Sequence, residues 1–368
     1  MSGVLAGPRA RIPVSVLTGF LGSGKTTLLN RLVRSPGMGR ALVVINEFGS
    51  VGLDHELIAR SSDDMVVDMM GGCLCCTICG DLSRTLRDAP WRFARDGRCW
   101  FDRVVIETTG LADPAPILHT LIADAQLEPL YRLDAVIATV DAAAGMATLD
   151  AHHEAVKQAA VADRLLLTKT DLVDDAAQAL LRARLATLNP AAPVITVRDG
   201  AVDPASLFDV GLWDPASKSD DVRRWLADEA YADDHHHHHH GHDHHHDIDR
   251  HGDGIRATCL TFDRPLDPLA FERWLGLLTM FRGADLLRVK GIVHLEGHDA
   301  PVVVHGVQHL FHPPVELDRW NSADRRTRMV FITRGIDPEE LRGTLALMAM
   351  APAALEGLLV RAGADMPA

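Results

Sequence analysis

Four cysteines crowd into one short stretch of the chain, where their thiolates could bind a soft metal ion. Two glycines, at positions 71 and 72, come first, and the thiols follow at Cys73, Cys75, Cys76 and Cys79. Glycine permits the tight turn that would bring the sulfur atoms together, and thiolates favour zinc, copper(I) or iron–sulfur centres. Adjacent cysteines rarely bridge each other, because disulfide geometry is restrictive. Since the whole chain has only six cysteines, the cluster predicts a metal site.

A phosphate-binding loop is predicted at Gly19–Thr26, whose sequence GFLGSGKT has the full Walker A spacing. An apolar run precedes the loop and a helical pattern, Thr27–Val33, follows it, which is the order of elements that the motif requires. Backbone N–H groups would cradle phosphates, Lys25 would reach the β- and γ-phosphates, and the hydroxyl of Thr26 would bind Mg²⁺. The predicted phosphate contacts are Gly19, Gly22, Ser23, Gly24, Lys25, Thr26 and Thr27.

Two later strand ends carry the other groups expected of a nucleotide site. One strand ends in Glu107, a Walker-B-like acid that would polarise Mg²⁺ or its water, and then reaches Gly110, whose N–H could sense the γ-phosphate. Another leads into Thr168-Lys169-Thr170-Asp171, which resembles the guanine-specificity motif of GTPases. The carboxylate of Asp171 can accept hydrogen bonds from guanine N1–H and N2–H₂, a pair of donors that adenine lacks. The predicted base contacts are Thr168, Lys169, whose stem would cross the base, and Asp171.

The loop after the second predicted strand contains glycines and acids between Asn46 and Asp54. Glu47 or Asp54 could contact Mg²⁺, its bound water or another metal, and an ordinary surface loop with solvated acids is the alternative. With this loop included, the predicted catalytic residues are Lys25, Glu107 and Asp54.

Short apolar runs that alternate with helical patterns predict an α/β domain with a mostly parallel sheet, at residues 1–213. Ligands of such sheets gather at the carboxyl ends of the strands. The thiol cluster follows a third apolar run, Met65–Met70, and is therefore expected close to the nucleotide. Residues 255–368 read as a smaller α+β domain, with helical patterns beginning at Asp267 and Pro338 among several strands.

Residues 214–254 are predicted to form a disordered linker that is first polar and acidic and then rich in histidine. Eleven histidines fall between positions 235 and 251, beginning with the consecutive run His235, His236, His237, His238, His239 and His240. Neutral imidazoles bind metal ions, so the linker is a candidate metal-binding segment. A solvated linker and a purification tag are the alternatives, although the interleaved aspartates and the internal position disfavour a tag.

Composition narrows the class of partner. The net charge of −13 at pH 7 argues against a nucleic-acid partner, whose phosphates require a basic face. No apolar run approaches the roughly 20 residues of a membrane span, so no membrane partner is expected. The first residues, Met1–Arg11, contain no apolar signal core. A cytoplasmic location follows as the expectation, and it fits cysteines that are bunched rather than spread as a disulfide framework.

Taken together and in this order, the motifs resemble those of the CobW-type metallochaperone GTPases, a branch of the P-loop GTPases. They are the Walker A loop, Asn46–Gly49, Gly72–Cys76, Glu107–Gly110 and Thr168–Asp171, and Arg288–Gly291 and the region around Gln308 resemble the C-terminal domain of that family. The resemblance covers nearly the whole chain. It implies a GTPase that uses GTP and Mg²⁺, binds Zn²⁺ at Cys73, Cys75 and Cys76, and delivers the metal to a client metalloprotein.

The resemblance leaves several alternatives open. The metal could be Co²⁺ or Fe²⁺, in a GTPase that assists assembly of a cobalt or iron enzyme, as in cobalamin synthesis or nitrile hydratase activation. A metal buffer that stores zinc on its thiols and histidines is a second alternative, and a homodimer is open as well. Cys79 departs from the family pattern, in which a basic residue is common at this position. It is either a fourth ligand, which would slow metal release, or a free thiol.

Overall fold

The structure is a computed structural model that describes residues 11–46, 65–68, 75–198, 200–208, 254–320 and 324–349. The chain divides into two compact units, Met1–Asp253 and Gly254–Ala368. The predicted histidine-rich linker, residues 214–254, lies outside the described residues except for Gly254.

The first unit contains nine strands and six helices in its described ranges. The strands are β1 (Ile12–Gly19), β2 (Ala41–Asn46), β3 (Met65–Asp68), β4 (Ala94–Arg95), β5 (Arg98–Cys99), β6 (Arg103–Thr108), β7 (Tyr131–Asp141), β8 (Arg164–Thr168) and β9 (Val194–Thr196). The helices are α1 (Lys25–Leu32), α2 (Cys75–Arg92), α3 (Ala115–Ala123), α4 (Gly145–Ala151), α5 (His153–Val161) and α6 (Asp175–Leu188).

Seven of these strands form one sheet in the order β3-β2-β6-β1-β7-β8-β9, and every pairing in it is parallel. The predicted α/β fold with a parallel sheet is confirmed. Strand β1 lies between β6 and β7, with Leu17 opposite Glu107 and Gly19 opposite Thr139. The carboxyl ends of three strands therefore meet at one edge of the sheet, beside the start of α1.

Helix α1 is held against the sheet by its apolar side. Leu28, Leu29 and Leu32 are buried in one core cluster with Leu17 and Ile137, which come from β1 and β7. Burying a leucine side chain contributes roughly 1.5–3 kcal/mol to stability. The core thus fixes the position of the helix whose first residue is the loop lysine. The helix begins at Lys25, two residues before the start expected from the sequence.

Helix α2 differs more from expectation. The helical pattern indicates a start near Asp81, whereas the helix begins at Cys75. Buried residues at Leu82, Leu86 and Ala89 recur at helical spacing and pack its inner face. That packing holds the middle of α2, on the C-terminal side of the cysteines. The backbone of Cys75, Cys76 and Cys79 is helical, while their side chains lie outside the described part of the chain.

The second unit is an antiparallel sheet with helices, as predicted for an α+β domain. Its strands are β10 (Ile255–Phe262), β11 (Leu286–Val293), β12 (Val302–Val307), β13 (Leu310–Phe311), β14 (Val315–Glu316) and β15 (Thr327–Arg334). The order is β10-β15-β11-β12-β13, with β14 paired to β12. Helix α7 (Pro268–Arg282) buries Phe271, Trp274 and Leu278 in the core, and a short helix α8 (Pro338–Gly343) follows β15.

His305 is buried within β12 of this second unit. Burial is the main cause that lowers the pKa of His305 well below its usual value, and the charges of Arg288, Lys290 and His312 lower it further. The imidazole is therefore neutral at neutral pH, as expected of a histidine that packs inside a domain. None of the helices within the described ranges combines the length and the apolar character needed to cross a bilayer.

Candidate functional site

The phosphate-binding loop connects the central strand to α1. Gly24 caps the helix with a left-handed backbone, φ 93°, a region that favours glycine because it has no Cβ. Its carbonyl accepts a hydrogen bond from the N–H of Leu28 at 3.0 Å, which starts the helical ladder. The local sequence thus places the amino end of α1, with its partial positive charge, at the loop.

The lysine of the loop is folded back onto the loop backbone. Lys25 is only 8% exposed, and its ammonium donates to the carbonyl oxygens of Gly19 at 2.9 Å and Phe20 at 3.3 Å. These carbonyls hold a positive charge against the glycine-rich loop at the amino end of α1. The arrangement is suited to an anion such as a phosphate.

A hydroxyl and a carboxylate meet where β1 and β6 end. The hydroxyl of Thr26 donates to Oε1 of Glu107 at 2.9 Å, and Glu107 is 5% exposed. Neighbouring oxygen ligands of these two types suit Mg²⁺, which binds through a few protein oxygens and keeps its other ligands as water or phosphate. The pair therefore fits the magnesium role expected from the sequence.

Hydroxyl groups join the phosphate loop to the neighbouring strands. Ser23 Oγ lies 2.6 Å from Thr139 Oγ1 at the end of β7, and the hydroxyl of Thr168 donates to the Ser23 carbonyl at 2.8 Å. The predicted base contact of Thr168 stays a prediction, and its hydroxyl ties the start of the base-recognition loop to the phosphate loop. The phosphate loop is thereby tied to β7 and β8 as well as to β1.

The segment after β6 packs directly on the phosphate loop. A Cβ placed on Gly110 would lie 2.6 Å from the backbone nitrogen of Leu21, closer than a real contact permits. Only glycine fits this approach without displacing backbone. The position is consistent with a backbone N–H that faces the γ-phosphate, as the sequence predicts for Gly110.

The expected base-recognition loop lies farther out. Lys169 has a left-handed backbone, φ 53°, which is strained for a residue with a side chain, and its ammonium donates to Asp141 at 2.7 Å. Asp171 lies in a short 3-10 turn, Thr170–Leu172, and is exposed. The side chain of Gln178 in α6 donates to the carbonyl of Thr170 at 3.1 Å and supports the turn.

Most of the predicted nucleotide contacts lie at one edge of the sheet. The phosphate loop, Glu107 and Gly110 adjoin one another there, and the base-recognition loop follows the end of β8 at the same edge. Thr27 is exposed on α1 and makes none of these contacts.

The predicted metal ligands fall mostly beyond the described ranges. Glu47, Asp54, Cys73 and the linker histidines His235 to His240 are outside them, as are the side chains of Cys75, Cys76 and Cys79. Within the described ranges, no cluster of three or more His, Cys, Asp or Glu side chains could hold a metal ion. Strand β3, which leads toward the thiols, pairs with β2 and so runs in the same direction as the strands of the phosphate site.

Three residues at the site were missed by sequence reasoning. Thr139 and Asp141 end β7, so the rule that ligands gather at strand ends could have identified them. Gln158 lies within α5 and bonds to the Gly110 segment, and no local pattern marks it.

Comparison with known domain families finds a match in each unit. Residues 13–196 match the CobW/HypB/UreG nucleotide-binding domain, and residues 255–348 match the cobalamin synthesis protein CobW C-terminal domain. The two matches fall in the parallel-sheet and antiparallel-sheet units respectively.

Similar proteins match along most of their lengths. A protein of Escherichia coli named zinc chaperone YjiA is 33% identical, over 91% of this chain and 98% of its own. A Saccharomyces cerevisiae protein named zinc-regulated GTPase metalloprotein activator 1 is 26% identical, over 92% of this chain and 83% of its own. The crystal structure of the Zn(II)-bound YjiA GTPase from E. coli superposes with a TM-score of 0.65 at 28% identity, covering 92% of this chain and 98% of that one.

Proposed function

The chain belongs to the CobW family of P-loop GTPases, and from that premise we propose that it is a GTP-hydrolysing metallochaperone. In this proposal it binds zinc at Cys73, Cys75 and Cys76 and delivers the metal to a client metalloprotein. The observation that carries the proposal is the contact of Thr26 with Glu107 beside the phosphate loop. The names of the relatives, zinc chaperone and metalloprotein activator, support zinc as the cargo and a metalloprotein as the client.

GTP hydrolysis would depend on positioning and charge stabilisation rather than on a covalent protein intermediate. The ammonium of Lys25 binds and neutralises the β- and γ-phosphates, and the loop amides orient them. Thr26, with Glu107 nearby, would hold Mg²⁺, which would supply positive charge against the charge that develops on the phosphate oxygens. Glu107 holds the threonine hydroxyl in place through their hydrogen bond. Asp54 is proposed to orient the attacking water.

Base selection is assigned to the exposed turn after β8. Asp171 accepts hydrogen bonds from guanine, and Lys169 covers the base with its stem. The pairing of Lys169 with Asp141 restrains the lysine before any base is present. The strained backbone of Lys169 also fits a functional role, since such conformations persist where the surrounding structure imposes them.

Metal and nucleotide are proposed to be coupled through the loops at one edge of the sheet. The thiols follow β3 along the chain, and the phosphate groups follow β1 and β6. The loop from Asn46 to Asp54 connects β2 toward β3 and is the proposed switch, ordered by the γ-phosphate and released on hydrolysis. If zinc prefers one state of this loop, linkage requires GTP and GDP to change zinc affinity.

The test is a competition titration of zinc against a chelating dye, with a non-hydrolysable GTP analogue and then with GDP. We expect zinc affinity to differ at least about fivefold between the two nucleotides, the lower end of typical coupling. Replacing Cys73, Cys75 and Cys76 by serine should abolish the difference while nucleotide binding survives.

The matched control removes two thiols outside the motif. Cys99 and Cys259 lie outside the Cys73–Cys76 motif, so a Cys99→Ser, Cys259→Ser variant loses two thiols but keeps the proposed ligands. It should retain the nucleotide-dependent zinc affinity of the parent. Identical zinc affinity in both nucleotide states of the parent would contradict the chaperone mechanism and leave a GTPase that merely holds metal.

A further inference from the structure

Helix α5 holds the segment that follows Glu107 by a buried glutamine. Gln158 is 1% exposed, and its side-chain nitrogen donates to the carbonyl oxygens of Gly110 at 3.2 Å and Ala112 at 2.9 Å. Two carbonyls that lie two residues apart are thus fixed by one amide group. This restrains the backbone dihedrals of the residues from Gly110 to Ala112.

The same segment is pressed against the phosphate loop on its other side. Gly110 approaches the backbone of Leu21 so closely that a Cβ would lie 2.6 Å from its nitrogen and 2.7 Å from its Cα. The backbone between Glu107 and α3 is therefore held between Leu21 of the loop and Gln158 of α5. Gly110 therefore cannot move without disturbing its contact with Leu21 or its hydrogen bond from Gln158.

A small cavity of about 30 Å³ lies between the phosphate loop, β7 and α5. Its walls include Leu21 and Ser23 of the phosphate loop, Thr139 of β7 and Gln158 of α5. The side-chain oxygen of Gln158 is buried and accepts no hydrogen bond from any described residue. A cavity of this size admits a water molecule, and polar groups of the loop, β7 and α5 all line it.

We propose that Gln158 is a positioning residue that holds the Gly110–Ala112 backbone where it can sense the γ-phosphate, and so sets the preference for GTP over GDP. The proposal rests on the proposed function in one respect, because it assumes that a guanine nucleotide binds at this site. Gln158 does not contact the phosphates itself. It acts through Gly110, whose N–H is the group expected to face the γ-phosphate.

A second glutamine supplies a matched control. Gln178 of α6 also donates from its side chain to a backbone carbonyl, that of Thr170, at 3.1 Å. Thr170 belongs to the base-recognition turn, which meets a part of the nucleotide that GTP and GDP share. Removing the amide of Gln178 should therefore weaken both nucleotides equally, whereas removing that of Gln158 should weaken only the triphosphate.

The experiment measures the affinity of the full chain for GDP and for a non-hydrolysable GTP analogue by calorimetry. Gln158→Met keeps the length of the side chain but donates no hydrogen bond. We expect the affinity for the analogue to fall about five- to tenfold with GDP affinity unchanged, since each lost hydrogen bond carries a modest net free energy. Gln178→Met should lower both affinities by the same factor.

Gln158→Leu provides a second variant if the methionine variant does not fold, and it should shift the ratio in the same direction because its side chain cannot donate a hydrogen bond. An unchanged ratio, an equal loss for both nucleotides, or a ratio that moves toward GTP would each overturn the inference. A parent protein that binds neither guanine nucleotide would instead contradict the proposed function, so the two failures are distinguishable.

Discussion

The phosphate half and the base half of the candidate site are built in different ways. Around the phosphate loop the polar groups are buried and bonded to one another, as with Ser23, Lys25 and Glu107, which are 2%, 8% and 5% exposed. At the base-recognition turn Asp171 is exposed and the neighbouring Leu172 is 63% exposed. The first half is shaped before a ligand arrives, whereas the second presents single side chains on an open turn. Phosphate binding should therefore depend on contacts among protein groups, and base selection on one carboxylate.

The base half should show the largest effect of a single atom exchange. Asp171→Asn replaces an acceptor oxygen with a donor and removes the charge that pairs with guanine. A site built to hydrogen-bond a group rejects an analogue without it by up to about 10⁴–10⁵, so we expect GTP to be preferred over ATP by about that range in the parent and far less in the variant. Turnover measured with both nucleotides tests this.

Asp175→Asn is the matched control for that exchange. Asp175 lies four residues farther on, in the first turn of α6, and the substitution makes the same change of charge without touching the predicted base contact. It should keep the parent preference. Equal turnover of GTP and ATP by the parent protein would remove the basis for assigning guanine recognition to this turn.

The phosphate half should lose turnover when its buried cation is removed. Lys25→Ala eliminates the ammonium beside the carbonyls of Gly19 and Phe20. Loss of one stabilising donor of this kind typically lowers kcat about 10²–10³-fold. Phosphate release at saturating GTP gives the measurement.

Lys169→Ala separates the two halves, because it removes a lysine from the base side. The ion pair of Lys169 with Asp141 is partly exposed, and its loss should weaken GTP and GDP by the same few-fold factor while kcat stays near the parent value. A kcat as low in Lys169→Ala as in Lys25→Ala would show that the two halves are not functionally distinct.

At the contact between the phosphate loop and Gly110 we expect an effect that is smaller than that of Lys25→Ala and that is confined to the triphosphate. Gly110→Ala adds a methyl group that meets the backbone of Leu21, so the segment must move away. Overpacking of this kind costs about 1–3 kcal/mol, and we expect the affinity for a GTP analogue to fall roughly tenfold with GDP affinity nearly unchanged. Fluorescence titration with labelled nucleotides measures both affinities.

Gly276→Ala serves as the control for the added methyl group. Gly276 lies in α7 of the second unit, where a Cβ would meet no atom within 4 Å. Nucleotide affinities should match those of the parent. If Gly110→Ala weakened GDP as much as the GTP analogue, the contact would support the loop in general rather than sense the third phosphate.

The parallel sheet and the family could be predicted from the sequence because strand patterns and motifs are formed by residues that are close together in the chain. Each site motif follows directly on an apolar strand, so the strand order along the chain already brings Thr26 and Glu107 to one edge. Those roles for individual residues remain predictions, although the geometry is compatible with them. The start of α2 at Cys75 was not predictable from local preference, because cysteine and threonine, which fill its first three positions, have only modest helical preference.

Contacts between segments that are distant in the chain could not be predicted from the sequence. Gln158 lies 48 residues after Gly110, and nothing in the pattern of α5 distinguishes it from another buried helical residue. The hydrogen bond from the hydroxyl of Thr168 to the carbonyl of Ser23, 145 residues away, was likewise not predicted. Side chains that support a binding loop are identified by the distant residues that they contact, and a single sequence does not show those contacts.

The order of the strands also ranks β3 and β1 by how readily each strand can separate from the sheet. Strand β3, which leads toward the thiols, pairs with β2 alone among the strands that the structure describes, whereas β1 pairs with both β6 and β7. Separating β3 breaks one ladder of four residue pairs, but separating β1 breaks two. We therefore expect amide hydrogen exchange to show that β3 opens at a lower free energy than β1. The proposed metal motif thus follows a marginal strand along the chain, whereas the phosphate loop follows the strand at the centre of the sheet.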